Sequence, residues 1–193
     1  VFAETSCSTG VQHFPDQTDR SDFGPIPSWL TQTFDIWIAH LTTSPFNTLS
    51  LEENGACLRD QIDFVYSSSH GSKVILVAHS MGGLVSRAAI EGGSMDYDRV
   101  TRLVTLGSPH LGVPMNNFLI AALCNAGDLG ACEFSELGMA QIFNPGHPIR
   151  NDETEYYVVG GHESNFRPRF DGGSGDGIIS QRSATFLPGS AVT

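Results

Sequence analysis

The stretch VILVAHSMGGLVSRAA, residues 74–89, decides the fold of this chain. Its beginning, residues 74–78, is a continuous apolar run, which is typical of a strand buried on both faces, as in a parallel sheet. Residues 82–91 then have helical character, and the glycines that follow them end the helix. Between the two, Ala78-His79-Ser80-Met81-Gly82 has only small residues two positions before and after the serine. This arrangement predicts a nucleophile elbow, a sharp strand-to-helix turn on which Ser80 presents its hydroxyl.

The helix after Ser80 predicts where negative charge on a substrate is stabilised. Its N-terminus, near Met81, directs backbone amides and the positive end of the helix dipole toward the nucleophile. We therefore expect the Met81 N–H to be one donor of an oxyanion hole. An ordinary glycine-rich strand–helix turn is the alternative, but the strand before and the helix after both match the context of an elbow. The second donor should come from residues 4–11, after a strand ending at residues 1–3, and no single residue can be chosen.

The segments before and after the elbow continue the alternation of predicted strands and helices. Residues 34–41 (FDIWIAHL) are rich in β-formers and predict a strand. Ser50 and Glu53 form a capping-box pattern, which begins a helix running to about residue 67. We also expect strands at residues 100–106 and 156–159, and a short helix at residues 26–33 with Trp29 and Leu30 on its apolar face. The fold class is therefore α/β, with a mostly parallel sheet flanked by helices, in a single domain over residues 1–193.

Composition excludes several classes of protein. The chain has 193 residues and a formal net charge of −11, and its ten Lys and Arg residues form no basic cluster, so nucleic acid is not expected as a partner. No apolar run reaches the length of a membrane span, so no transmembrane segment is expected. We expect no cofactor. Asp171 and Asp176 offer oxygen ligands for Ca²⁺, but the alternating acids of a calcium loop are missing, so no metal is predicted.

The four cysteines bear on the compartment. An even number in an acidic chain with one lysine, Lys73, favours an oxidising environment, and we expect a secreted or extracellular protein. Cys124 and Cys132 flank a glycine-containing segment that lets the chain turn back, which predicts a disulfide between them. Free, buried thiols are the alternative.

The motifs resemble those of a known group. AHSMGGLVSRAA at residues 78–89 and LVTLGSPHLGVP at residues 103–114 resemble the α/β-hydrolase superfamily and, within it, the bacterial lipases and lipase-like esterases. The loop SGDGII at residues 174–179 resembles the segment that carries their catalytic acid. The resemblance covers roughly residues 34–180. It implies hydrolysis of carboxylic (acyl) esters, with Ser80 as nucleophile and Asp176 as acid, and Asp171 is the rival for the acid.

The same resemblance implies places for two histidines. His79 lies inside the elbow, where we expect its side chain to pack beneath the turn, beside the substrate pocket. His110 follows the strand at residues 100–106, where lipases of this kind carry a histidine that shapes the pocket.

The chain departs from the pattern of the superfamily after the acid. Along the chains of that superfamily the nucleophile comes first, the acid second and the catalytic histidine last. In this sequence no histidine lies beyond His162. We expect the catalytic histidine to lie beyond this sequence or on a second chain, so that the fold is minimal or truncated at both ends. A role for His162 or His110 as the base is the remaining alternative.

Residues 113–150 form an insertion over the site, a candidate lid or cap. Its apolar residues either line an acyl pocket or pack on the core; they are Phe118, Leu119, Ile120, Leu123, Phe134, Leu137, Met139, Ile142 and Phe143. The substrate can be a small-molecule ester or a lipid, and a lipid would bring contact with a lipid interface. A thioesterase or acyltransferase is an alternative on the same fold. A non-catalytic, hydrolase-like binding module is a second alternative, suggested by the missing histidine.

Overall fold

The strands form two sheets in the part of the chain that the structure describes. This structure is a computed structural model and describes residues 10–14, 29–41, 49–92, 97–114, 118–127, 129–161 and 179–188. The strands are β1 (Gln12–Phe14), β2 (Ile36–Ile38), β3 (Val74–His79), β4 (Val100–Leu106) and β5 (Glu155–Val159). β1 pairs antiparallel with β2, whereas β3, β4 and β5 form a parallel sheet in that order. The predicted α/β class is confirmed.

Helices connect and flank the parallel strands. They are α1 (Leu51–Ser68), α2 (Met81–Glu91), α3 (Phe118–Asn125), α4 (Leu129–Glu133), α5 (Glu136–Gly138), α6 (Asn144–Gly146) and α7 (Gln181–Thr185), with a π-helical turn at Met139–Phe143 between α5 and α6. Helix α2 is the crossover between β3 and β4, as a parallel pair requires.

Helix α1 begins where its sequence predicts. Ser50 accepts a hydrogen bond from the Glu53 backbone N–H, and the Glu53 carboxylate accepts one from the Ser50 backbone N–H, so the capping box is complete. Farther along, a Cβ added at Gly55 would lie 2.7 Å from Ala88 Cβ. The two helices therefore cross in close contact, and α1 fixes the outer side of α2.

The core lies between the helices and one face of the parallel sheet. Its fully buried members include Leu51 of α1, Leu84 and Val85 of α2, and Val100 and Leu103 of β4. Met139 of the π-helical turn belongs to the same cluster. The insertion thus contributes directly to the core that supports α2.

The other face of the parallel sheet, which we call the open face, is partly exposed among the residues that the structure describes. The side chains of Ile75 and Val77 on β3 are 39% and 40% exposed, and those of Tyr157 and Val159 on β5 are 49% and 50% exposed. The strand register sets Val77 and Tyr157 on either side of Val104, so these side chains form one continuous apolar surface.

The observed bounds of some strands differ from the predicted bounds. The strand predicted at residues 34–41 is observed only at β2, while β3 and β5 are each one residue longer than predicted. Trp29, expected on the apolar face of a short helix, is 71% exposed. Cys124 and Cys132 form the predicted disulfide, and Cys57 is disulfide-bonded as well. Among the described residues, no helix is both long and apolar enough to cross a membrane.

Candidate active site

Ser80 occupies a strained turn between β3 and α2. Its backbone angles are φ 52° and ψ −127°, in a region that a residue with a Cβ rarely adopts. Such a conformation costs on the order of 1–3 kcal/mol and persists only where its surroundings enforce it. Ser80 precedes the first residue of α2, yet its side chain does not cap the helix. The turn therefore presents the serine hydroxyl instead of using it in the helix.

Backbone hydrogen bonds hold this turn at the carboxyl edge of the sheet. The Ser80 N–H donates to the Leu106 carbonyl at 3.0 Å, and the Gly83 N–H donates to the Ser80 carbonyl at 3.1 Å. The Gly107 N–H in turn donates to the Val159 carbonyl at 2.8 Å. The ends of β3, β4 and β5 thus meet where Ser80 lies, the edge at which open α/β sheets bind ligands.

Glycine is required one position later than the sequence suggested. A Cβ at Gly82 would lie 3.8 Å from Ala78 Cβ, which is ordinary van der Waals contact. A Cβ at Gly83 would lie 2.1 Å from Ser108 Oγ and 2.9 Å from Thr105 Cγ2. The second glycine of HSMGG therefore lets α2 approach the end of β4, and the first has more room than predicted.

The side chain of His79 points away from the core. His79 is the last residue of β3 and is exposed, whereas its neighbour Ala78 is buried. Because successive strand residues face opposite sides of a sheet, a buried Ala78 places His79 on the open face. The expectation that His79 packs beneath the turn is wrong.

The side chain of His110 is fully buried, and the expectation that it helps to shape the substrate pocket stays a prediction. Its Nδ1 accepts a hydrogen bond from Arg87 Nη1 at 3.2 Å, because a guanidinium can only donate. Its Nε2 lies 3.2 Å from Thr105 Oγ1 and therefore carries the proton that is donated there. Burial, followed by the nearby Arg87 charge, lowers the pKa of His110 to about 3. The imidazole is thus neutral with both nitrogens engaged, which leaves it unsuited to serve as the base for Ser80.

Arg87 is the site residue that the sequence analysis missed. It lies on α2 with a fully buried side chain. Nη1 donates to His110, Nη2 donates to Asn144 Oδ1, and the guanidinium lies 4.6 Å from the centre of the Phe143 ring. Burial lowers the pKa of Arg87 to about 10. The available signal was an arginine among the small and apolar residues of the helix predicted at residues 82–91, because a charged residue in such surroundings needs partners if it is buried.

The loop at residues 107–112 also contacts helix α7. The His110 N–H donates to the Ser183 carbonyl at 3.1 Å, and the Leu111 N–H donates to Ser183 Oγ at 3.1 Å. Ser183 Oγ donates in turn to the Gly112 carbonyl at 2.9 Å. Ile179, just before α7, is buried with Val113. The segment that follows the predicted acid loop is therefore anchored to the loop that follows β4.

Several predicted site residues lie outside the described residues. These are Asp171, Asp176 and His162, together with residues 1–9 of the region expected to hold the second oxyanion donor. Met81 is the first residue of α2, directly after Ser80, as predicted. Across the ranges that are described, no group of His, Cys, Asp and Glu side chains could hold a metal ion.

The apolar residues of the insertion divide into two groups. Met139 and Phe143 are buried in the core and Phe134 packs against it, so these residues follow the core-packing alternative. Leu137 and Ile142 are 62% and 72% exposed. The side chains of Phe118, Leu119, Ile120 and Leu123 lie outside the described part of the structure.

A parallel sheet with a helical crossover, and a strained serine between a strand and the helix after it, define an α/β-hydrolase type of fold. Residues 41–122 match the family described as the PGAP1-like alpha/beta domain. A GPI inositol-deacylase of Debaryomyces hansenii is 29% identical over 122 residues, which are 60% of this chain and 11% of that protein. The chain thus spans about a ninth of the length of this relative.

Solved structures share the fold. The mature form of the Bacillus licheniformis lipase BlEst2 superposes with a TM-score of 0.64 at 23% identity, covering 81% of this chain and 68% of that one. Phospholipase PlaB of Legionella pneumophila, in complex with thio-NAD, superposes with a TM-score of 0.67 at 14% identity, covering 84% and 40%. The fold is therefore of the α/β-hydrolase type, the fold that these lipase and phospholipase structures share.

Proposed function

We propose that this chain is the core of a serine hydrolase that cleaves carboxylic acyl esters through an acyl-enzyme on Ser80. The observation that carries the proposal is the backbone of Ser80, at φ 52° and ψ −127°, with a hydroxyl that does not cap the following helix. The strained backbone of this serine, at the carboxyl edge of a parallel sheet, lowers the stability of the fold without forming a helix cap. A role as catalytic nucleophile explains why the strain is kept.

In the proposed reaction, Ser80 Oγ attacks the ester carbonyl while a histidine takes its proton. The Met81 N–H, at the start of α2, stabilises the oxyanion of the tetrahedral intermediate. Asp176 orients the histidine and stabilises its charged form, as the acid of a triad does. The histidine then protonates the leaving alcohol, and water releases the acid from the acyl-enzyme. His110 takes no part as the base, because both of its ring nitrogens are already hydrogen-bonded.

A lipid ester is the proposed substrate class. The proteins that the chain resembles are named as a lipase, a phospholipase and an inositol-deacylase. Leu137 and Ile142 of the insertion expose large apolar side chains, which suits contact with a lipid interface. We further propose a secreted or extracellular location, which the Cys124–Cys132 disulfide supports because such bonds persist in oxidising compartments.

The test uses the full-length protein and a fluorophosphonate probe, which reacts with an activated serine. We expect mass spectrometry to place the probe on Ser80, and we expect hydrolysis of p-nitrophenyl esters of graded chain length. Ser80→Ala should remove both activities while thermal unfolding stays unchanged. Ser67→Ala, which changes an exposed serine on α1, is the matched control and should behave as wild type.

Two outcomes would redirect the assignment. Absence of labelling in the folded, full-length protein favours a non-catalytic binding module, the reading suggested by the lack of a histidine after Asp176. Labelling of Ser80 with turnover of thioesters but not of oxygen esters favours a thioesterase. A Ser80→Ala protein that keeps a tenth of the wild-type rate contradicts the nucleophile assignment outright.

A further inference from the structure

The loop at residues 107–112, which we call the clamp loop, is held from the side of the nucleophile helix by Arg87. Arg87 lies on α2, the same helix that begins after Ser80, and donates through Nη1 to His110 within the clamp loop. Asn144 closes the arrangement, since its Oδ1 accepts from Arg87 Nη2 and its Nδ2 donates to the His110 carbonyl at 3.0 Å. Both the side chain and the backbone of His110 are therefore fixed relative to α2.

The clamp loop is held from the opposite side by Ser183 of α7. The Ser183 hydroxyl both donates and accepts, bonding the Gly112 carbonyl and the Leu111 N–H, and the Ser183 carbonyl accepts from the His110 N–H. Ser183 is only 3% exposed, so these hydrogen bonds do not compete with water. The buried hydroxyl thus joins α7, which closely follows Asp176 in the sequence, to the clamp loop.

Arg87 is an unusual choice for a purely structural role. Its guanidinium is completely buried, no carboxylate of the described residues lies within 4.0 Å, and its Nε has no hydrogen-bond partner among them. A buried cation with neutral partners is costly compared with an apolar residue of similar volume. The gain is geometric, because the planar fork reaches His110 and Asn144 at once and fixes the angle between them.

We propose that Arg87 and Ser183 are positioning residues that fix α7 relative to α2, and thus relative to Ser80, by binding the clamp loop from its two sides. The proposal rests on the proposed function. Neither residue touches the substrate. Their effect is to keep Ser80 and α7 in a fixed relative position, on which the geometry of the proposed catalytic groups depends. Misplacement of such groups by about 1 Å can lower a rate by on the order of a hundredfold.

The kinetic test compares Arg87→Met, Arg87→Lys and Ser183→Ala in the full-length protein, with a soluble p-nitrophenyl ester as substrate. We expect Arg87→Met and Ser183→Ala each to lower kcat by roughly 10–100-fold with KM within about twofold of wild type. Arg87→Lys keeps the charge and a single donor but loses the planar fork, so it should recover only part of the loss in kcat. A rise in KM with unchanged kcat overturns the proposal.

Two matched controls separate positioning from stability. Arg59→Met removes hydrogen bonds from α1 to the carbonyls of Ala88 and Ala89, so it loosens α2 without touching the clamp loop. Thr185→Ala removes an exposed hydroxyl from α7 that bonds only within that helix, to the Gln181 carbonyl. Arg59→Met should lower the melting temperature measurably and Thr185→Ala only slightly, because the Thr185 hydroxyl is exposed. Both variants should leave kcat within twofold of wild type.

A double-mutant cycle and hydrogen exchange complete the test. If both residues act through the clamp loop, the fold-decrease in kcat of the double variant Arg87→Met/Ser183→Ala should be far smaller than the product of the fold-decreases of the two single variants. Strictly multiplicative losses overturn the joint role. Hydrogen exchange of the peptide covering residues 107–113 should accelerate at least tenfold in either single variant. If exchange is unchanged in an enzyme that still hydrolyses esters, the positioning role of Arg87 and Ser183 is overturned and the proposed function stands. If the wild-type protein hydrolyses no ester and binds no fluorophosphonate, the proposed function itself is overturned.

Discussion

Arg87 and His110 meet in the interior of the protein, where the guanidinium donates a hydrogen bond of 3.2 Å to His110 Nδ1. This contact determines the state of the histidine, because a nitrogen that accepts from arginine carries no proton. A sequence position that looked like a pocket residue is therefore a neutral, internal hydrogen-bonding group. Its protonation would place two positive charges side by side in a buried site.

The first prediction concerns the pH dependence of stability. The pKa of His110 is lowered to about 3 by burial and by Arg87, so between pH 6.5 and 3 the unfolded chain binds a proton that the folded chain does not. The stability that neutral His110 provides is complete above pH 6.5 and is lost as the pH falls, by at most about 1.4 kcal/mol per pH unit. We expect His110→Gln, which can still accept from Arg87 and donate to Thr105, to reduce this slope. Urea unfolding of both proteins between pH 7.5 and 4.5 measures it, and parallel curves would contradict the prediction.

The second prediction compares two adjacent glycines. Gly83→Ala places a Cβ 2.1 Å from Ser108 Oγ and should destabilise the protein by roughly 1–3 kcal/mol, the usual cost of overpacking. Gly82→Ala meets only Ala78 Cβ at 3.8 Å and gains helix propensity, so it should be neutral or stabilising by up to about 1 kcal/mol. The denaturant concentrations at the unfolding midpoints of the two variants test this prediction. Equal losses would mean that α2 does not approach β4 as closely as described.

The third prediction concerns the acid. We expect Asp176→Asn to lower kcat by roughly 10⁴-fold, the loss typical of a triad acid replaced by its amide. Asp171→Asn shares the loop and serves as the matched control, with less than a threefold expected effect. Ester hydrolysis by the two purified variants tells them apart. The reverse ranking would transfer the acid assignment to Asp171.

The fourth prediction concerns the Cys124–Cys132 disulfide, which closes a short loop between α3 and α4. A bridge of this span restricts the unfolded chain by roughly 2–3 kcal/mol, so Cys124→Ser/Cys132→Ser should lose about that much free energy of unfolding. Ala126→Ser, an exposed change inside the loop, is the control. If the double variant unfolds at the wild-type midpoint, the disulfide adds no stability and the loop is ordered by other contacts.

Local patterns in the sequence predicted the fold well. The capping box at Ser50, the strand β3 and the sharp strand-to-helix turn at Ser80 each depend on a few consecutive residues, and each is observed where it was predicted. The contacts that join Arg87 to Asn144 and Ser183 to Leu111 connect residues far apart in the chain. No periodicity encodes such pairs. The exposure of His79 and the hydrogen-bond partners of His110 were not predicted for the same reason, because both depend on which neighbouring elements cover these residues.

The open face of the parallel sheet has a practical consequence for work with this polypeptide. Ile75, Val77, Tyr157 and Val159 present adjoining apolar side chains to water, and surfaces of this kind attract one another and bind amphiphilic dyes. We expect preparations of these 193 residues to brighten anilinonaphthalene sulfonate at neutral pH and to become turbid as the protein concentration or the ionic strength increases. Val77→Lys would set a charge in the middle of that surface, and it is the first substitution to make when material for crystallography or solution spectroscopy is needed.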